Sequence, residues 1–191
     1  MIESIVALFF FLQLNYTFYW ADMSKRSWKH LALAESNTLF LFLMTLYCLP
    51  QETNWEFQPL YLLIMPVWGD VWVYTTHRLL HSRLLFHHIH YIHHEYMLPL
   101  PIDTFYAHPL ENFLQNWCVI GIPLLFWPGF STLSAAIIGL LSIRNALRAH
   151  NSPKYPYGFH VLHHSIYSRN LGAGFFLADK FFRSYTDTGQ N

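Results

Sequence analysis

Charge is the first thing this 191-residue chain has little of: Asp, Glu, Lys and Arg make up 12% of it, about half the roughly 25% of a soluble domain. That scarcity excludes a heavily solvated chain, and a formal net charge of zero removes both a basic surface for nucleic acid and an acidic tail. Cysteine is nearly missing as well. Cys48 and Cys118 both lie in apolar runs and read as buried thiols, not as a disulfide framework. The sequence has no internal repeat and no low-complexity tract. Its opening lacks the basic stretch of a cleaved leader, so the first apolar segment is expected to stay as an anchor.

What fills the space left by charge is apolar and aromatic: 53% hydrophobic and 19% Phe, Trp and Tyr, a membrane composition. Residues 2–20 form a run long enough to cross a bilayer, which takes roughly 20 residues. A basic loop follows with Lys25, Arg26 and Lys29, and then a second run, 31–49, ends at Pro50. The next connector carries Glu52 and Glu56 and no base. Under the positive-inside rule the basic loop is cytoplasmic, and the third run, 59–76, returns to that side and delivers His77 there. Residues 113–127 and 131–148 are each short for a crossing and are broken by Pro128 and Gly129. They read as a helical hairpin that returns His150 to the side it left, with Arg144 and Arg148 at its exit.

Thirteen histidines are the other excess, and seven of them fall in the 19 residues from His77 to Glu95. His77 and His81 are four apart; His90, His93 and His94 repeat the i, i+3, i+4 spacing of one helix face, as do His160, His163 and His164. Imidazole in its neutral form suits zinc, copper, iron and nickel. Eight such rings are too many for one four-coordinate zinc, whereas two ions with about five ligands each use all eight and need more. His108 and His150 are the natural ninth and tenth. His30, standing alone, reads as a surface or interface residue. Asp70 lies seven residues before His77 on nearly the same helix face, inside an apolar run, and an acid there marks function. It is expected to orient a histidine ring, as are Glu95 and Glu111.

Taken in order, an acid before HRLLH, then IHYIHHE, YAHPLE, a histidine after the hairpin, and HVLHH followed by Asn170, Gly172 and Asp179 resembles the fatty acid hydroxylase and sterol desaturase superfamily, including its C4-methylsterol monooxygenase-like members. The resemblance implies an all-α fold: an integral membrane helical bundle of about four membrane helices, the last part a hairpin, under a small cytosolic histidine-rich cap. It implies one domain over 1–191, with two membrane helices in 1–58 and the catalytic histidine-box region in 59–191. It also implies two iron ions held by His77, His81, His90, His93, His94, His108, His150, His160, His163 and His164, the eight rings of the three boxes being catalytic. Oxygen would be the co-substrate and a fatty acyl or sterol C–H bond the target, for hydroxylation or desaturation. The boxes would face the cytoplasm, at the endoplasmic reticulum in a eukaryote. Where the family follows the hairpin histidine with Ser-Gly-Tyr this chain has HNSPKYP, and FFRSY stands for the closing Phe-Gly-Thr. No HPGG haem-binding stretch is present, so electrons are expected from a separate donor such as cytochrome b5 or a reductase.

Two readings compete. A membrane zinc transporter needs polar ligands at mid-membrane depth, and the first two runs offer none beyond Glu35 near one end. A metal-binding but inactive membrane protein fits the boxes, because ligands report binding and not turnover. A histidine-aspartate phosphohydrolase needs Asp after His, whereas Glu95 follows His94.

Overall fold

A computed structural model of the chain describes residues 25–48, 56–127, 129, 131–151, 159–172 and 174–187. The apolar run 2–20, Pro50, Glu52 and Pro128 lie outside the described residues. Everything regular within them is helical: α1 (Trp28–Cys48), α2 (Pro59–Leu80), α3 (Arg83–His88), α4 (Pro109–Asn112), α5 (Cys118–Phe126), α6 (Thr132–Ala149), α7 (His160–His163) and α8 (Leu177–Phe181). Two 3₁₀ segments, His90–Glu95 and Pro101–Phe105, lie between α3 and α4, and a π-turn, Phe113–Trp117, joins α4 to α5. Among the described residues no helix is both long and apolar enough to cross a membrane.

Local chemistry sets these boundaries. Ser27 caps α1 by accepting the His30 N–H at 3.3 Å, and Ser131 caps α6 by accepting the Ser134 N–H at 3.1 Å. Pro59 and Pro109 open α2 and α4 at positions where a missing N–H costs nothing.

Two breaks in the α4–α5 stretch fasten it to α2. Pro123 cannot donate to the carbonyl four residues back, and the Trp68 indole N–H of α2 donates to that free Val119 oxygen instead, at 3.0 Å. In the π-turn the Cys118 N–H reaches back to Phe113 O and passes over Leu114 O, which accepts from the Trp72 indole at 2.8 Å. A helix interruption thus becomes a helix–helix bond in both places.

The α5–α6 hairpin goes out and back. At its turn, where Gly129 has φ 73°, the Gln58 side chain just before α2 donates to Gly129 O and accepts the Ser131 N–H at 2.9 Å. Met65, Ala135 and Ile138 form the core between α2 and the hairpin, with Trp68 and Leu124 packed around them. The other end of α6 carries His150 to the end of α2 that carries His77. A second core, Ala34, Ile102, Phe105 and Leu147, ties α1 to the Pro101–Phe105 segment and α6. Asn37 of α1 donates to Phe105 O and Ala107 O at 2.8 and 2.9 Å, closing that junction.

Candidate metal centre

Nine of the ten histidines singled out in the sequence come together, in two groups. His77, His81, His90, His94 and His163 form one, and His93, His150, His160 and His164 form the other; within each group every ligand atom lies within 4.8 Å of the rest. Eight of the nine are buried, and His81 is half-buried. The boxes do not map one to an ion. His90 and His94 join the first group while His93, between them, joins the second, and His163 separates in the same way from His160 and His164. A 3₁₀ turn over His90–Glu95, with three residues per turn in place of 3.6, accompanies this division.

The tautomers are fixed from outside. A carbonyl oxygen only accepts, so an Nδ1 facing one carries the ring proton. His77 Nδ1 donates to Leu171 O at 2.7 Å, His163 Nδ1 to Arg169 O at 2.7 Å, His164 Nδ1 to Tyr96 O at 3.0 Å, and His150 Nδ1 to Ala146 O at 3.0 Å. His160 Nδ1 faces both Asn170 O and Gly172 O at 3.0 Å, and His93 Nδ1 donates to Tyr106 O at 3.3 Å. His90 Nδ1 meets the Glu111 carboxylate at 2.8 Å.

It follows that bare Nε2 lone pairs converge inside. His77 Nε2 and His90 Nε2 are 2.9 Å apart in the first group, and His93 Nε2 and His150 Nε2 are 3.2 Å apart in the second. The second pair has no proton to share, nor has the first when Glu111 is ionised, so the contacts repel unless a cation lies between them. The spacing is that of donors on one ion, since two nitrogens at right angles and about 2.1 Å from a metal are about 3.0 Å apart. Buried His164 Nε2 has no hydrogen-bond partner among the described residues, as a ligand atom should not. The residues therefore fit a pair of metal ions.

The protonation states agree. Burial holds His81 at about 4; burial and the neighbouring rings hold His93 at about 4 and His150 and His160 at about 3. His77, His90, His94, His163 and His164 are pushed down further for the same reason. At neutral pH all nine rings are uncharged and each has a lone pair to give.

The remaining candidates lie elsewhere. His108 stays outside both groups: it precedes Pro109 as the cap of α4, and its Nδ1 accepts the Leu110 N–H at 3.1 Å. Among the acids, only Glu111 reaches a ligand ring. Asp70 accepts the Ala178 N–H at 2.9 Å and so fixes the start of α8, not a histidine. Exposed Glu95 accepts from the Tyr106 hydroxyl. His30, expected at a surface or interface, is buried; its Nε2 lies 2.8 Å from Asp103 Oδ1, and its ring stacks on Tyr106 at 3.5 Å. Burial alone would raise Asp103, but the Arg26 guanidinium and His30 hold its carboxyl at about 2.

Several positioning residues escaped the sequence reading. Thr104 stands 3.1 Å from His150 Nδ1, and the Tyr167 ring lies edge-on to His94 at 4.7 Å. Asp179 was visible only as part of the family pattern. Fully buried, it accepts from Leu171 N at 3.0 Å, Gly172 N at 2.7 Å and Ser184 Oγ at 2.7 Å. It thus fastens the strip whose carbonyls orient His77 and His160. Gly172 is required there, because a Cβ would meet Asp179 Oδ2 at 2.9 Å. Asp179→Ala strands three buried donors at about 1–3 kcal/mol each. We expect the unfolding midpoint to drop by roughly 10 °C or more in a thermal melt, with loss of metal.

Comparison with known proteins gives the family. The sequence profile described as Fatty acid hydroxylase fits residues 62–184. A very-long-chain aldehyde decarbonylase of Oryza sativa subsp. indica is 29% identical over 163 residues, 78% of this chain and 59% of its own. Methylsterol monooxygenase 1 of Rattus norvegicus is 42% identical over 73 residues, 38% of this chain and 25% of its own. A Delta(7)-sterol 5(6)-desaturase of Leptosphaeria maculans is 31% identical over 122 residues, 61% of this chain and 34% of its own. The chain thus spans less than two thirds of the length of each of these relatives. No solved structure matches. Because the matched stretch includes all nine clustered histidines and more than half of the sequence, the chain belongs to the fatty acid hydroxylase family.

Proposed function

We propose that this chain is a membrane-embedded, oxygen-dependent di-iron oxidoreductase that attacks a C–H bond of a fatty acyl or sterol lipid. The observation that carries the reading is the convergence of nine neutral imidazoles in groups of five and four, each group with lone pairs facing one another at about 3 Å. Five ring nitrogens exceed the four of a structural zinc site. Iron accepts imidazole and a larger ligand number. Two iron ions bound here would supply the activation of dioxygen and the oxidation of the carbon.

The protein's part is to hold, orient and exclude. Carbonyls from 169–172, Tyr96, Tyr106 and Ala146 aim the rings, and burial keeps water from eight of them. Among the described residues Glu111 is the one acid that touches a clustered histidine. Burial pushes its carboxyl well above the usual range, while cations beyond His90 favour the ionised form and with it a stronger donor at His90 Nε2. Glu111→Gln keeps an acceptor but removes that charge. Metal affinity is expected to fall about 10–100-fold, read by competition with a chelator of known strength.

Membrane embedding rests on which side chains face outward. Leu39, Phe40, Leu43 and Tyr47 on α1, and Leu60, Leu63, Val67 and Val71 on α2, are all exposed, while the polar Asn37, Thr38 and Asp70 are buried. These inward polar residues lower the hydropathy of helices whose outer surfaces are apolar. At about 1.5 Å per residue, the 21 residues of α1 and the stretch of α2 before His77 come close to the roughly 30 Å of a hydrocarbon core. Lys25 and Arg26 before α1 and Lys29 in its first turn favour a cytoplasmic histidine centre, and electrons arrive from a separate donor.

Expression in a lipid-rich host under ¹⁸O₂, followed by lipid mass spectrometry, tests the reading. Label in a lipid product establishes hydroxylation, and a new double bond without label establishes desaturation. An unchanged lipid profile with several electron donors, from protein loaded with two ions, would favour a metal-binding protein without turnover and sink the proposal.

A further inference from the structure

Among the described residues the first histidine group meets the surface through His81. His81, its half-buried member, forms part of the lining of a groove of about 680 Å³, a volume in the range of small-ligand sites. Four arginines also line the groove, Arg78, Arg83, Arg169 and Arg183, and no carboxylate does. Two of them are set by neutral acceptors: Arg78 donates to the Tyr74 hydroxyl at 2.6 Å and Arg169 to Arg183 O at 2.8 Å. Arg83 and Arg183 have no ion-pair partner among the described residues. Four guanidinium groups gathered with no counter-charge among the described residues repel one another, and an anion relieves that repulsion with charge-assisted, often bidentate, bonds.

The remaining lining supplies an apolar path to the metal ligands. Phe86 packs on His81 with ring centroids 5.4 Å apart, and Tyr167 lies 5.9 Å from His81 and 4.7 Å from His94. An amphiphile with its anionic end among the arginines would lay its carbon body over these two rings, against the one ligand that is not closed off.

We propose that this groove is the substrate's head-group site and that the substrate is an anionic amphiphile, carrying a carboxylate or a phosphate ester. This rests on the lipid-oxidation reading, but binding tests it without turnover. The full chain, metal-loaded in neutral phosphatidylcholine vesicles, is titrated with radiolabelled palmitate, hexadecyl phosphate and hexadecanol, each corrected for partition into protein-free vesicles. Both anions are expected to bind about tenfold or more tighter than the alcohol, the size of one good charge-assisted hydrogen bond. In Arg83→Gln/Arg183→Gln that preference should vanish while hexadecanol binding and metal content stay as they were, and Arg83→Lys/Arg183→Lys should restore part of it. Inorganic phosphate at millimolar concentration is expected not to displace palmitate. Equal binding of acid and alcohol overturns the proposal, as does a preference that survives the double Gln variant, even if reduction by a protein donor slows. Displacement by inorganic phosphate alone overturns the amphiphile assignment. Failure of the ¹⁸O₂ experiment with the anion preference intact would instead point to the oxidation chemistry as the faulty step.

Discussion

Replacing His163 with Ala is expected to reduce metal content from two ions per chain to about one or fewer and to remove more than about 99% of lipid oxidation. His163 is fully buried; its Nδ1 is fixed by Arg169 O, and its Nε2 lies 2.8 Å from that of His81 and 3.1 Å from that of His94. Changing a residue that merely orients a ligand costs about 10–100-fold in metal affinity, so deleting the ligand costs more. His108→Ala is the matched control. It removes a histidine of similar motif context that caps α4 and joins neither group, and it should retain both ions and nearly full activity, losing about 1 kcal/mol of stability with the cap. Metal analysis of the two purified variants checks both. Two ions retained in His163→Ala, or a loss in His108→Ala equal to it, would contradict the arrangement described.

Stripping the metal should produce the largest stability change. A ligand present at a thousand times its dissociation constant adds about 4 kcal/mol, so two ions are worth on the order of 8 kcal/mol and roughly 20 °C in the unfolding midpoint of a chain this size. The metal-free protein should also become acid-labile, and the sign follows from the rings. Their folded-state values are depressed, to about 4 for His81 and His93 and about 3 for His150 and His160, against about 6.5 unfolded. Between those limits the unfolded chain takes up protons that the folded chain refuses. Stability is therefore complete above about pH 6.5 and lost as pH falls toward 4. Each ring contributes up to about 1.4 kcal/mol per pH unit, so several together consume the roughly 5–15 kcal/mol of a typical domain within a unit or two. Thermal melts of chelated and metal-loaded protein from pH 7.5 to 5 test this, and equal acid sensitivity in the two forms would refute it.

The clustering of nine of the ten histidines was legible in the sequence because their spacing is local. Partners were less so. Glu111 follows the Pro that starts a helix and meets His90 as expected, but Asp70 is seven residues below His77, about 10 Å along a helix, and it bonds Ala178, 108 residues away. Nothing in local periodicity reports that pairing. The capping role of His108 is written in its neighbour, since Pro109 occupies the first helical position and leaves the residue before it as cap. Thr104 meets His150 because the hairpin returns it, and Asp179 acts through backbone N–H groups seven and eight residues back in an irregular strip; helical spacing encodes neither. The hairpin itself could be read, because 113–127 and 131–148 are too short for independent crossings, but its bonds to α2 depend on which indole meets which free carbonyl.

The alternation of His90, His93 and His94 between the two groups, repeated by His160, His163 and His164, has a consequence for assembly. Adjacent residues cannot be ordered separately, so the first ion to bind sets the backbone for the ligands of the second and removes most of the entropy that the second would otherwise lose. The centre should fill nearly all at once, with singly loaded chains scarce in a titration. With two ions bound as proposed, each backbone turn would act as a rivet shared by two plates: neither ion could be withdrawn without loosening the seat of the other.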